Sequence, residues 1–304
     1  MDGVRFADPA SRAKAMQGHL EAVAESILSD TSGDLEFQRY LTMKGYCWNY
    51  SPSNWFLIYA QAPESAFVAG LTALGKIAKE QGHEALDRGR GKRELVWIAP
   101  RSHAVWIWGA PHTYKIKVVD KETGEEDEVI KKGRCQPLAI WAAEDIRYSD
   151  TKQPFDIPNY RRAIDDPALY SSLLNFAHSK DIKVKDTGIL YAHGASLSGR
   201  ILQQASTPWP KRIATLVHEI GHEILHNAED RKEGERQILE AEAEGVAATV
   251  LRYFGHDTAI SAAYLRNWEV TPKIVLRSMG RILRAAQEIV GYIEDRPAGF
   301  QAQG

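Results

Sequence analysis

Only two cysteines, Cys47 and Cys135, occur in 304 residues, and they form no spaced framework. A disulfide-stapled secreted domain is therefore excluded, and reduced thiols in a reducing compartment are expected. No apolar run approaches the ~18 residues that a membrane-crossing helix needs. No apolar segment follows Met1-Asp2-Gly3-Val4-Arg5-Phe6 in the manner of a secretory leader. We expect a cytoplasmic protein with no membrane partner. Charge of one sign is also missing: 38 Lys and Arg against 40 Asp and Glu leave a net charge of −2. That balance excludes a globally basic nucleic-acid coat and an acidic DNA mimic, so any nucleic-acid contact is a local patch. Internal repeats and low-complexity tracts are absent. What remains, 44% hydrophobic and 26% charged residues, is the composition of a globular chain with room for one large domain or two ordinary ones.

Against that background one stretch carries chemistry: Leu216-Val217-His218-Glu219-Ile220-Gly221-His222-Glu223-Ile224-Leu225-His226. Its apolar spacing reads as a buried helix. Residues four apart share a helix face, about 6 Å apart along the axis, so His218 and His222 can direct their imidazoles at one metal ion. Glu219 is rotated about 100° from His218. It is not expected as a ligand and sits where a carboxylate can accept the proton of an attacking water. Two satisfied histidines on a buried helix would carry the same five-residue pattern. His226 continues the spacing, but three histidines in line span about 12 Å and cannot all reach one ion. We read His226 as structural.

A second stretch weighs against the bland reading. Eighteen residues after His222 begins Glu240-Ala241-Glu242-Ala243-Glu244, inside an alanine-rich helical pattern that looks buried. Buried carboxylates are costly unless paired or bound to a metal. Glu240 and Glu244 share a face and Glu242 points elsewhere. We place Glu240 as the third ligand and Glu244 behind a histidine, holding its other ring nitrogen. Glu242 is the competitor for the ligand position, with a solvated helix charge as its plainer role. The expected ion is Zn²⁺, one per chain.

The N-terminal half has a different texture. Helical periodicity over residues 9 to 30, from Asp34 to Met43, after Ser51-Pro52-Ser53-Asn54, and over residues 70 to 81 gives way to short strands: Leu95 to Ala99, Ala104 to Trp108, Thr113 to Val119 and Leu138 to Trp141. Six of the eight tryptophans lie between residues 48 and 141, with basic residues among them. Aromatic platforms beside a basic groove suit single-stranded nucleic acid. The candidate contacts are Trp55, Arg88, Arg90, Lys92, Arg93, Trp106, Trp108, Lys131 and Lys132. Tryptophans filling a core beside a solvated hairpin would produce the same composition.

Residues 146 to 165 read as a polar linker. Beyond it we expect a helix from Pro167 to His178, short strands at 182 to 185 and 188 to 191, and an edge strand at 199 to 203 ahead of the metal helix. Helices at 234 to 254, 256 to 268 and beyond Thr271-Pro272 complete the chain. The fold class is thus α+β: an N-terminal α+β domain with an antiparallel sheet over residues 1–150, and a mostly helical domain with a small sheet over residues 151–304.

The stretch from Leu216 to His226 resembles the zinc motif of the ImmA/IrrE-like metallopeptidases. Glu240-Ala241-Glu242-Ala243-Glu244-Gly245-Val246-Ala247 is similar to their second motif. The stretch from Tyr50-Ser51-Pro52-Ser53-Asn54-Trp55-Phe56-Leu57 to Pro63, with Phe67-Val68-Ala69-Gly70 and the strand ending at Pro100, resembles the single-stranded-DNA-binding domain of ArdC-type antirestriction proteins. Leu71-Thr72-Ala73-Leu74 departs from that family, which usually has a Trp there. The resemblance implies a zincin-like C-terminal domain of the gluzincin kind, with His218, His222 and Glu240 on zinc and Glu219 as the catalytic carboxylate. It further implies a protein or peptide substrate and single-stranded DNA as partners. A DNA-binding antirestriction or DNA-protecting protein with a structural zinc is the alternative.

Overall fold

A computed structural model of the chain describes residues 9–28, 50–87, 93–111, 113–119, 126–157, 164–188, 192–226, 230, 236–256 and 272–295. The expected helix at 34–43 lies outside them, as do the helix at 256–268 and the strand at 188–191 apart from their first residues, His256 and Gly188. The architecture is α+β, with antiparallel β-pieces in the N-terminal half and a helix-rich C-terminal half. Of the described residues, 9–19 and 67–156 form one compact unit, and 20–28, 50–66 and 157–295 form a second. The sequence reading instead set one boundary near residue 150. Among the described residues, no helix is long and apolar enough to cross a membrane.

Helices α1 (Pro9–Leu28) and α2 (Pro52–Gln61) come first. In the first unit, β1 (Val68–Ala69) leads into α3 (Leu71–Glu80), which buries Leu74 and Ala78 one turn apart. The short strands β2 (Leu86–Asp87), β3 (Arg93–Glu94), β4 (Val96–Ile98) and β5 (Val105–Trp108) follow. Next come β6 (Thr113–Val119), β7 (Glu126–Lys132), β8 (Pro137–Ala142) and β9 (Ile146–Tyr148). All pairings here are antiparallel: β1 and β5 flank β8, β4 pairs with β9, β2 with β3, and β6 with β7. On β5 the period of two sends Val105 and Ile107 into the core and leaves Trp106 and Trp108 half-buried on the other face. The β6–β7 hairpin leaves Tyr114, Val129 and Ile130 exposed.

Residues 146 to 148 correct the linker reading. They form β9, with Ile146 and Tyr148 buried. A polar tip can be buried when its partners are inside: the Tyr148 hydroxyl donates to Gln81 Oε1 and accepts from the Asp156 amide, both at 2.8 Å. The His83 ring stacks on Tyr148 with centroids 3.4 Å apart, and its Nδ1 lies 3.1 Å from Asp150.

The second unit holds α4 (Asp166–Ser179), β10 (Lys183–Thr187), β11 (Gly194–Ser196), β12 (Arg200–Gln204), α5 (Lys211–Leu225), α6 (Arg236–Tyr253) and α7 (Pro272–Ile293). Asp165 caps α4 by accepting from the Ala168 amide, and Pro167 fits the first turn. Strand β12 pairs parallel with β10 and antiparallel with β11. The expected edge strand is therefore the middle one, and β11, read as a turn at His193-Gly194, forms one edge, with β10 at the other. Helix α2 packs on α7: Gln287 Nε2 donates to the Tyr50 carbonyl at 3.0 Å, and Pro52 Cβ would lie 3.7 Å from a Cβ on Gly280. Helix α2 buries Trp55, Phe56, Leu57, Ile58 and Tyr59.

Candidate metal centre

Helix α5 carries the two motif histidines. Its stripe of Ile213, Leu216, Val217 and Ile220 is fully buried, which sets the rotation of the helix. Helix α6 lies against it at close range because residue 221 has no side chain. A Cβ on Gly221 would sit 3.1 Å from Ala243 Cα and 3.3 Å from the Ala243 carbonyl oxygen, backbone atoms that have nowhere to retreat.

That approach brings two imidazoles and a carboxylate to one point. His218 Nε2 and His222 Nε2 are 3.1 Å apart. Glu240 Oε2 from α6 lies 3.4 Å from the first and 3.5 Å from the second. Tetrahedral ligation at bond lengths of ~2.0–2.2 Å separates ligand atoms by roughly 3.3–3.5 Å, so the triangle has the dimensions of one face of such a site. Among the described residues these three form the group of His, Cys, Asp and Glu side chains able to hold an ion. The donor set of two nitrogens and one oxygen suits a borderline divalent cation such as zinc and leaves one position of a tetrahedron open.

The outer contacts point the ligands inward. Glu244 Oε2 lies 3.2 Å from His218 Nδ1, where it accepts that nitrogen's proton and leaves Nε2 to face Glu240. His222 Nδ1 lies 3.0 Å from His226 Nδ1, and His226 Nε2 lies 3.0 Å from Glu242 Oε2. Arg281 on α7 places Nη1 3.3 Å from that carboxylate, and its Nη2 donates to the Leu225 carbonyl at the end of α5.

The electrostatics favour positive charge at this point. Burial opposes charging His218, but its hydrogen bonds to Glu240 and Glu244 and the fields of Glu219 and Glu244 outweigh it and raise its pKa to about 9. Hydrogen bonds from His218 and then His222 hold the Glu240 carboxyl well below the usual carboxylate range. Burial depresses His222, helped by the neighbouring charges of His218 and His226 against the pull of Glu240.

Glu219 is 7% exposed and lies against the edge strand: a Cβ on Gly194 would meet Thr215 Cγ2 at 2.5 Å and Glu219 Oε1 at 2.7 Å. Only glycine allows β11 this close to the helix. One turn on, Glu223 accepts from Ser196 Oγ and the Gly199 amide and ties the β11–β12 turn to α5.

The structure thus gathers His218, His222, Glu240 and Glu244, with Glu219 on the same helix. It corrects the two alternatives for Glu242. Its carboxylate, 1% exposed, turns to His226 and Arg281 rather than to the Nε2 pair, and it is no solvated helix charge. The sequence reading kept His226 structural and off the ion but did not pair it with Glu242, and it did not single out Arg281. A third His at the same four-residue spacing and a Glu set between alanines were available signals. Arg281 had none.

The candidate DNA contacts do not form one group. Trp55 is 1% exposed in the second unit, so its ring fills a core and offers no face to a base; this corrects its place among the contacts. Arg88, Arg90 and Lys92 lie outside the described residues, as does the side chain of Lys132. Arg93 is exposed on β3 and donates to the Ala85 carbonyl at 2.9 Å. Trp106 has the Arg12 guanidinium 3.8 Å over its ring, Trp108 is half-buried, and Lys131 is exposed on β7.

The fold and site together define an α+β protein with a two-histidine, one-carboxylate centre held between two helices. No family model matches the chain, and no curated protein matches it. Among solved structures, the metal-free crystal structure of the antirestriction protein ArdC from plasmid R388 superposes with a TM-score of 0.52 at 15% identity, covering 92% of this chain and 99% of that one. The Mn(II)-bound structure of the same protein gives a TM-score of 0.48 at 16% identity, covering 91% and 97%. The chain has the fold of ArdC.

Proposed function

We propose that the chain is a DNA-binding antirestriction or DNA-protection protein of the ArdC kind, which binds single-stranded DNA and holds one divalent cation, zinc, at His218, His222 and Glu240. The observation that supports this reading is the reach of the fold likeness, which takes in 92% of this chain and therefore residues of both units. Single-strand binding predicts quenching of tryptophan fluorescence by an oligonucleotide, with an affinity that falls steeply with salt, by a log–log slope of about −0.7 per phosphate neutralised. No quenching and no mobility shift at low salt would sink the DNA reading.

A second reading, zinc-dependent peptide hydrolysis of the ImmA/IrrE-like gluzincin kind, is favoured by Glu219. Glu219 follows the ligand His218 directly, lies outside the ligand triangle and stands beside an edge strand, the place of a carboxylate that takes the proton of a metal-activated water. A bound divalent ion supplies Lewis acidity to a peptide carbonyl. Glu219 would take a proton from the attacking water and return it to the departing amine. The outer edge of β11 would hold an extended peptide by backbone pairing. Glu219→Gln separates the readings: a hydrolase loses the bulk of its turnover while zinc and DNA affinity stay, and cleavage at the wild-type rate would remove the second reading.

A further inference from the structure

We propose that the outer edge of β7 is a self-association edge. A second copy of this chain adds its own β7 there, antiparallel and in register at Val129, so that two β6–β7 hairpins form one four-stranded sheet about a two-fold axis. The contact requires neither DNA nor a metal.

The hairpin is open where such a contact needs it. Among the described residues β7 pairs with β6 alone, and no strand lies along its outer edge. An open edge is a template for another strand unless charge or coverage blunts it. Apolar side chains of the hairpin are uncovered as well: Tyr114 is 46%, Val129 41% and Ile130 65% exposed. Register and the period of two put Tyr114, Ile116 and Val129 on one face.

The sequence of β7 selects the partner. Glu126-Asp127-Glu128-Val129-Ile130-Lys131-Lys132 runs from acidic to basic about its middle residue. Laid antiparallel against a second copy with Val129 on the axis, Glu126 stands opposite Lys132 and Asp127 opposite Lys131, each pair twice by symmetry, and Glu128 stands opposite Ile130. Opposite charges directly across an antiparallel pair stabilise it, and like charges destabilise it. Moving the axis by one residue sets Glu128 against itself or loses one of the two charge pairs. Inside each hairpin Ile116 is the partner of Val129, so the central row across the four strands reads Ile116, Val129, Val129, Ile116. Such β-branched neighbours pack well on a pleated surface. The outer edge of β6 fails the same test: centred on Ile116, it sets Lys115 against Lys117 of the second copy, twice. Pairing β6 of one copy with β7 of the next leaves open edges at both ends and grows a filament, whereas the β7 pair closes as a dimer. One seven-residue strand per chain is small beside the ~20–30 residues a side of a standard interface, so the dimer is a reversible one.

Sedimentation velocity of the full chain over a micromolar concentration series, without nucleic acid, should show a monomer–dimer equilibrium that weakens with added salt. Asp127→Lys and Lys131→Glu each put like charges opposite one another in two places and should lower the dimerisation constant about tenfold or more. An equimolar mixture of the two variants makes every such pair opposite in sign and should restore a dimer. Inside each hairpin Asp127 stands across from Val118 and Lys131 across from Tyr114, so neither change breaks a charge pair directly across the hairpin. The register is read by cross-linking. In a Cys135→Ser background, Val129→Cys should give a disulfide-linked dimer on mild oxidation, since residues directly opposite in an antiparallel pair have Cα atoms ~4.5–5.5 Å apart. A wild type that stays monomeric at every concentration, higher oligomers in place of a dimer, or a dimer that both charge variants leave intact would overturn the proposal. So would a Val129→Cys protein that cross-links no faster than its Cys135→Ser parent. If a charge variant does not fold, the cross-link in the otherwise unaltered strand decides.

Discussion

The centre between α5 and α6 and the tryptophan-bearing sheet of the first unit use costly side chains in opposite ways. At the centre, each histidine and carboxylate has a named partner within hydrogen-bonding reach, and the helices are packed through Gly221 so that the polar groups meet. On β5 the apolar residues go inward and the tryptophans go outward, where Trp106 is covered on one side by Arg12. A polar cluster inside a helix pair is specific because every unmatched group is penalised. An aromatic row on the outer face of a sheet carries no such requirement, so its geometry says less about what it binds. The difference teaches where function is strongly constrained by the fold and where it is only permitted.

The sharpest way to break the comparison is at the ligands. His222→Ala should abolish tight zinc binding, a larger loss than the ~100-fold that an outer partner costs, with the oligonucleotide affinity of the protein unchanged; elemental analysis and chelator competition measure it. Next in size, Trp55→Ala should cost about 3–5 kcal/mol in denaturant unfolding, because a fully buried ring is lost. Its counterpart on the surface, Lys131→Ala, should leave stability within about 0.5 kcal/mol while weakening oligonucleotide binding at low salt and lowering its salt slope. Gly221→Val should cost about 1–3 kcal/mol and loosen zinc binding together with stability, since the added carbons press on the backbone of Ala243.

The pH-dependent effect belongs to the first unit. Backbone amides of Glu84 and Thr151 and the ring of His83 bind the Asp150 carboxylate, with burial opposing, and take its pKa from 3.8 down to about 2. A depressed acid contributes stability above its unfolded pKa, and that contribution is lost as pH falls through the folded value. Stability should therefore drop between about pH 4 and pH 2 in the wild type, and less so in Asp150→Asn; thermal melts across that range check it.

The sequence by itself determined the elements whose cause is local. Four-residue spacing on an apolar helix sets His218 and His222 on one face wherever that helix lies. Period-two alternation sets Val105 against Trp106, and Pro and Gly punctuate the ends. The spacing of Glu240 and Glu244 likewise put two carboxylates on one face of α6. Tertiary structure decided what depends on which elements meet. It made β11 an edge and β12 the centre of the small sheet, since strand order follows from long-range pairing. It took Trp55 out of the nucleic-acid candidates by packing α2 on α7. It turned Glu242 inward onto His226 and onto Arg281, a residue 39 positions from Glu242 that no spacing rule connects to it. Helix rotation is local, but the partner a side chain finds is set by the element packed against it.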